Sequence, residues 1–102
     1  MEMKPGSRWA SAVCDAEVVV VRPPKSGGDL ACGGHAVVAH GGAKPDVARL
    51  DTAQDPAPLV GKRYVDADSG LEVLCVKAGK GALSLDGRPL ALKEAKALPA
   101  SD

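Results

Sequence analysis

The chain has 102 residues, with 13 basic and 13 acidic side chains and a formal net charge of zero. That is the length of one small domain, and its neutrality removes the basic patch that drives counterion release from nucleic acid. Trp9 and Tyr64 are the only aromatic residues, and Phe, Ile and Asn are absent. The chain therefore lacks stacking platforms for single-stranded bases, and its core must be built from Val, Leu and Ala, a composition typical of a GC-rich bacterial genome.

No apolar run approaches the roughly 18 residues of a membrane span, so no membrane partner is expected. The first eleven residues carry Glu2, Lys4 and Arg8 and do not read as a secretory signal. Three cysteines are an odd number, and a secreted domain with so thin a core would be expected to carry two or more disulfides. Together these features predict a cytoplasmic protein with reduced thiols.

Along the chain, Val13 to Val21 contains four consecutive valines, a strongly β-forming run. Pro23 and Pro24 stop it, because neither can donate to a ladder. Leu30 to Cys32 and Ala36 to Val38 are short strands flanking Gly33-Gly34, a pair suited to a two-residue hairpin with positive φ at both positions. Residues 41–60, rich in Gly, Asp and Pro, read as a long flexible connection, with one possible helical turn at Val47 to Leu50. Strands are predicted again at Lys62 to Val65, Leu71 to Lys77, Ala82 to Leu85 and Pro89 to Leu92. Asp86-Gly87 is the strongest hairpin signal. Residues 93–102 read as a frayed or short helical tail.

Turns at this spacing predict a single all-β domain over residues 1–102, a small antiparallel sandwich or barrel built from hairpins. Glu17 to Arg22 aligns without a gap with Glu72 to Lys77. Each is followed by a Gly-containing loop, a Leu-bearing strand and a tight turn, which suggests a duplicated strand-hairpin unit. Both faces of these strands are largely apolar, so both are expected to be covered, by a second sheet or by a partner subunit. A homodimer through the face carrying Val19, Val21, Leu74 or Val76 follows as the expectation.

Chemistry concentrates at Cys32-Gly33-Gly34-His35. In a two-residue hairpin Cys32 and His35 face each other across the ladder, with β-carbons about 5 Å apart. That separation suits a thiolate and an imidazole sharing one metal ion. The glycines let backbone N–H groups approach a thiolate, as Gly-bearing turns do in zinc ribbons and rubredoxin-like knuckles, to which this turn is similar in local chemistry alone. Cys14 and Cys75 lie on the two strands that resemble each other. Convergence of Cys14, Cys32, His35 and Cys75 would give a closed tetrahedral site for zinc or iron. Simpler accounts place Cys75 as a buried apolar residue and Cys14 in the core or at an edge. His40, beside Gly41-Gly42, either replaces His35 or decorates the loop.

Other motifs are weaker. Neither Gly27-Gly28 nor Gly79-Lys80-Gly81 has the spacing of a phosphate loop. Asp66, Asp68 and Glu72 lack calcium-loop spacing and read as a solvated acidic turn. Ser11 and the other serines lie in no nucleophile motif. The sequence thus points first to a non-catalytic accessory or scaffold protein holding a zinc or iron ion. A metal-free interaction module accompanying an enzyme is the alternative, and a thiol redox or catalytic protein using Cys32 and His35 is the third reading.

Overall fold

Ten short strands make up the regular structure of the computed structural model, which describes residues 3–25, 28–54 and 57–93. They are β1 (Arg8–Ala10), β2 (Glu17–Arg22), β3 (Leu30–Cys32), β4 (His35–Ala36), β5 (Val38–Ala39), β6 (Arg63–Val65), β7 (Glu72–Lys77), β8 (Leu83–Leu85), β9 (Arg88–Pro89) and β10 (Ala91–Lys93). A six-stranded antiparallel sheet runs β10-β6-β7-β2-β1-β5, and a four-stranded sheet runs β4-β3-β8-β9. The protein is an all-β, sandwich-like domain, as its turn spacing predicts. The described residues include no helix long and apolar enough to cross a membrane.

Both sheet orders are symmetric about their centres. β1 to β5 form one half and β6 to β10 the other, with β2 paired to β7 and β3 paired to β8. The central registers match Val18 with Cys75 and Val20 with Val73 in one sheet, and Leu30 with Leu85 and Cys32 with Leu83 in the other. The resemblance of Glu17–Arg22 to Glu72–Lys77 is therefore one segment of a repeat that spans the whole domain. Both hairpins use the same turn: φ is 65° and 83° at Gly33 and Gly34, and 50° and 81° at Asp86 and Gly87. Positive φ at both central positions twists the turn to match the flanking strands.

Each half also folds the same tight turn before its long strand. Ser11 N–H donates to Ala16 O in one, and Asp66 N–H donates to Leu71 O in the other. The Ser11 side chain accepts from the N–H of Val13 and Cys14, while Asp66 accepts from the N–H and hydroxyl of Ser69. These local bonds give the backbone an alternative to the ladder. They delay the start of the valine run's strand to Glu17, four residues later than its sequence start at Val13 suggests.

Val18, Val20, Leu30, Cys32, Leu71, Val73, Cys75 and Leu85 are fully enclosed between the sheets, with Tyr64 closing one side. The opposite face of β2 and β7 is not covered to the same degree within the chain: Val19, Leu74 and Val76 are half-buried, and Val21 is 43% exposed. Alternation along these strands is thus real, and the long outward valines masked it.

Three local expectations change. β1 and the separation of β4 from β5 were not visible in the sequence, because two- and three-residue strands carry too few positions to show a period. The described part of residues 41–60 has no regular structure, including at Val47 to Leu50, but it is bonded to the body. Leu50 N–H donates to Val13 O, Gln54 N–H to Lys80 O, and Gln54 Oε1 accepts from Ala82 N–H. Of the tail, Lys93 belongs to β10 and residues 94–102 lie outside the described residues.

Of the acidic turn, Asp68 is exposed as expected, but its two neighbours are not. Asp66 and Glu72 are buried at 5% and 4% exposure. Glu72 meets Arg63 and Lys93 at 3.2 and 2.9 Å, and its counterpart Glu17 meets Arg8 and His40 at 3.3 and 3.4 Å. Asp66 meets Arg88 at 2.9 Å. The Arg88 guanidinium, then Ser69, hold the Asp66 carboxyl at about 2, against the opposing effect of burial. A carboxylate with a depressed native pKa adds stability that is complete above its unfolded value and lost as pH falls through the native one. Thermal unfolding should therefore show stability declining between roughly pH 4 and pH 2, with Asp66→Ala flattening that decline. The same substitution, leaving the Ser69 N–H and hydroxyl without their acceptor, should cost about 1–3 kcal/mol at neutral pH.

Candidate functional site: a buried thiol pair

Cys14 sits in the turn between β1 and β2, and Cys32 ends β3 at the Gly33-Gly34 hairpin. Their sulfurs are 3.8 Å apart, both side chains are buried, and no disulfide joins them. Neither local segment brings them together. The approach depends on β3 pairing with β8 and on the turn 78–81, which carries the chain from β7 to β8 across both thiols.

That turn fits because two of its residues lack side chains. A β-carbon at Gly79 would stand 2.8 Å from Cys14 Sγ and 2.6 Å from Ala16 N, and one at Gly81 would stand 3.0 Å from Cys32 Sγ. Gly81 N–H donates to Cys14 Sγ at 3.4 Å, and the Cys32 thiol donates to Gly81 O at 3.0 Å. The Cys14 thiol donates to Ser11 Oγ at 3.2 Å. When that thiol ionises the hydroxyl can rotate and donate in return.

The two thiols consequently differ. Burial alone would raise Cys14, but the Ser11 hydroxyl and backbone groups of Ala16, Gly81 and Lys80 outweigh it and bring the thiol from 9.0 down to about 7. Burial pushes Cys32 up to about 12, with the neighbouring Cys14 adding to it and Ser11 opposing it. Hydrogen bonds that favour the thiolate converge on Cys14, whereas Cys32 is fully buried and its thiol donates to a carbonyl, which favours the neutral form.

Above Cys14 opens a cleft of about 300 Å³ lined by Cys14, Asp15, Arg49, Leu50, Ala78, Gly79 and Lys80. Arg49 is held to Asp15 at 2.8 Å, the Lys80 ammonium donates to Asp51 O at 3.2 Å, and that of Lys44 donates to Cys14 O at 3.1 Å. Cys32, fully buried, lies behind Cys14 and does not line the cleft.

The other residues named from the sequence stand elsewhere. His35 pairs with Cys32 in the hairpin ladder as expected, but it is exposed. His40 lies by Glu17 on the large sheet. Cys75 is buried in β7, and its thiol donates to Lys77 O at 3.2 Å. Among the described residues no three His, Cys, Asp or Glu side chains are grouped closely enough to share a metal ion. The structure therefore joins Cys14 with Cys32 and does not group His35 or Cys75 with them. No nucleophile motif contains Ser11, so its place beside Cys14 is not an expectation of the sequence. Its signal was the spacing Ser11-x-x-Cys14, mirrored in the second half by Asp66-x-x-Ser69.

In the second half the same positions hold Asp66, Ser69, Leu85 and Arg88. Cys14 is matched by Ser69, Cys32 by Leu85 and His35 by Arg88, so the thiol site is confined to one half. No protein-family model, curated protein or solved structure matches the chain.

Alkylation of the folded protein should occur first at Cys14, with a rate midpoint near pH 7, while Cys32 stays protected. Ser11→Ala should move the midpoint up towards that of a free thiol, about 8.5, and Gly79→Ala should do likewise by displacing the turn. Cys14 adds stability that is lost as pH falls from 9.0 through about 7, and Cys32 removes stability as pH rises from 9.0 towards 12. Unfolding free energy should accordingly carry a thiol-dependent rise above neutral pH that Ser11→Ala diminishes.

Proposed function

We propose that this protein is a small cytoplasmic metal-binding accessory or scaffold protein, non-catalytic, that holds a zinc or iron ion at Cys14 and Cys32. The observation that carries the reading is the 3.8 Å separation of the two sulfurs. With metal–sulfur bonds of about 2.3 Å, two thiolates on a tetrahedral ion stand about 3.8 Å apart. A second support is the ring of donors around Cys14, which favours the thiolate that a metal requires.

Two thiols beside the Ser11 hydroxyl would make an open site, and His35, the ladder partner of Cys32, would have to turn inward to complete it. Cys75, bonded within its own strand, is left out of the ligand set. A site with few protein ligands exchanges its ion more readily than a closed four-residue one, which fits an accessory role. The odd number of cysteines in so small a chain supports the cytoplasmic reading.

Titration of the chelator-treated protein with Cd(II) or Co(II) should give one equivalent bound, with a sulfur-to-metal charge-transfer band. Saturation at a hundredfold excess over Kd should stabilise the fold by about 2.7 kcal/mol. Cys14→Ser or Cys32→Ser should abolish the band, Cys75→Ser should leave it, and His35→Ala should weaken binding. A parent protein that binds no ion would overturn the reading.

Self-association completes the proposal. Val19, Val21, Leu74 and Val76 form an aliphatic strip on the outer face of β2 and β7, flanked by the Glu17 and Glu72 ion-pair clusters. A twofold dimer through this strip would cover it. Sedimentation equilibrium at micromolar concentration should give a dimer that Val21→Lys and Leu74→Lys convert to monomer.

A further inference from the structure

We infer that the metal-free protein carries out thiol–disulfide exchange with small disulfides bearing carboxylate groups, using Cys14 as the attacking thiol and Cys32 as the resolving one. The inference rests on the placement of the two sulfurs and stands whether or not an ion binds them.

The division of labour follows from position. Cys14 lines the cleft, whereas Cys32 is fully buried behind it. An incoming disulfide reaches Cys14 first. Cys32, 3.8 Å from Cys14 Sγ, is then within reach of any mixed disulfide formed there. Closing that gap to the roughly 2.05 Å of a disulfide needs a shift of under about 2 Å. Gly79 and Gly81 place no side chain against either sulfur to oppose it.

The chemistry balances as follows. The Cys14 thiolate attacks one sulfur of the disulfide, forming a bond to it and expelling the other sulfur as a thiolate, which takes a proton from water. Cys32 then attacks Cys14 Sγ, its proton passing to the substrate sulfur that departs. The second half of the substrate thus leaves as a thiol. Two thiols of the protein are oxidised to one disulfide, and one small disulfide is reduced to two thiols.

Size and charge select the substrate class. About 300 Å³ is at the small end of ligand sites and suits the reacting part of a low-molecular-weight disulfide. Arg49 and Lys80 line it, and Lys44 is held against the Cys14 backbone at its edge. Asp15, itself paired with Arg49, is the acidic side chain lining the same cleft.

The test uses chelator-treated full-length protein and oxidised glutathione as the probe. Two equivalents of glutathione should be released per chain, and peptide mapping should find a Cys14–Cys32 bridge with Cys75 still reduced. Cys32→Ser should stop at a glutathione adduct on Cys14 with one equivalent released, and Cys14→Ser should release none. Lys80→Gln should slow the reaction with oxidised glutathione by about tenfold, and by distinctly less that with the neutral hydroxyethyl disulfide. A bridge to Cys75, adducts without an internal bridge, or no reaction in the parent chain would each overturn the proposal. The map of the parent chain decides this even if a serine variant fails to fold. Because metal binding is measured separately by titration, failure of either activity leaves the other readable.

Discussion

The antiparallel pairing of β2 with β7 joins the two halves of the molecule, and the rest of the structure depends on it. Its register sets Val18 against Cys75 and Val20 against Val73, which turns the same face of both strands inward. That face is the floor on which the smaller sheet packs. With Trp9 and Tyr64 the only aromatic residues, the core has little volume to lose. Deleting a fully buried aliphatic such as Leu85 removes both transfer energy and a contact at the centre of the smaller sheet.

The two halves solve one local problem in different ways. A tight turn ahead of a long strand leaves backbone N–H groups that need an acceptor. In the second half Asp66 accepts from Ser69, and Arg88 neutralises the buried carboxylate. In the first half Ser11 accepts instead, and the positions matching Ser69 and Leu85 are thiols. In the first turn a neutral hydroxyl beside two sulfurs takes the place of the buried ion pair, and the Asp15–Arg49 pair lies at the surface. The same backbone thus carries a buried carboxylate in one half and a thiol pair in the other.

Desolvation acts on both thiols, yet their responses diverge because hydrogen bonds are directional and burial is not. Backbone N–H groups from the turn over 78–81 and from Ala16 are aimed at Cys14. Gly81 turns its carbonyl to Cys32 and so holds that proton in place. Ser11 and the turn over 78–81 thus lower the Cys14 thiol to about 7, while burial raises that of Cys32. Both proposed activities, coordination and exchange, draw on this asymmetry.

Much of the fold was legible locally. Valine runs, the proline stop after Arg22 and the paired turn residues at Gly33-Gly34 and Asp86-Gly87 are each governed by backbone sterics within a few residues. They determined an all-β domain of hairpins, and the alignment of Glu17–Arg22 with Glu72–Lys77 disclosed part of the repeat. The ladder partnership of Cys32 with His35 followed from the same hairpin. The site was decided differently. Cys14 and Cys32 lie 18 residues apart, and the turn that seals them lies about 50 residues further on. Whether Cys75 or Ser11 joined them depended on which way each chain segment faced once the sheets had packed. A shift of one residue in register reverses every side chain in a strand, so sequence determined which residues were available to a thiol site, and only the tertiary packing of turn, hairpin and sheet decided which of them met.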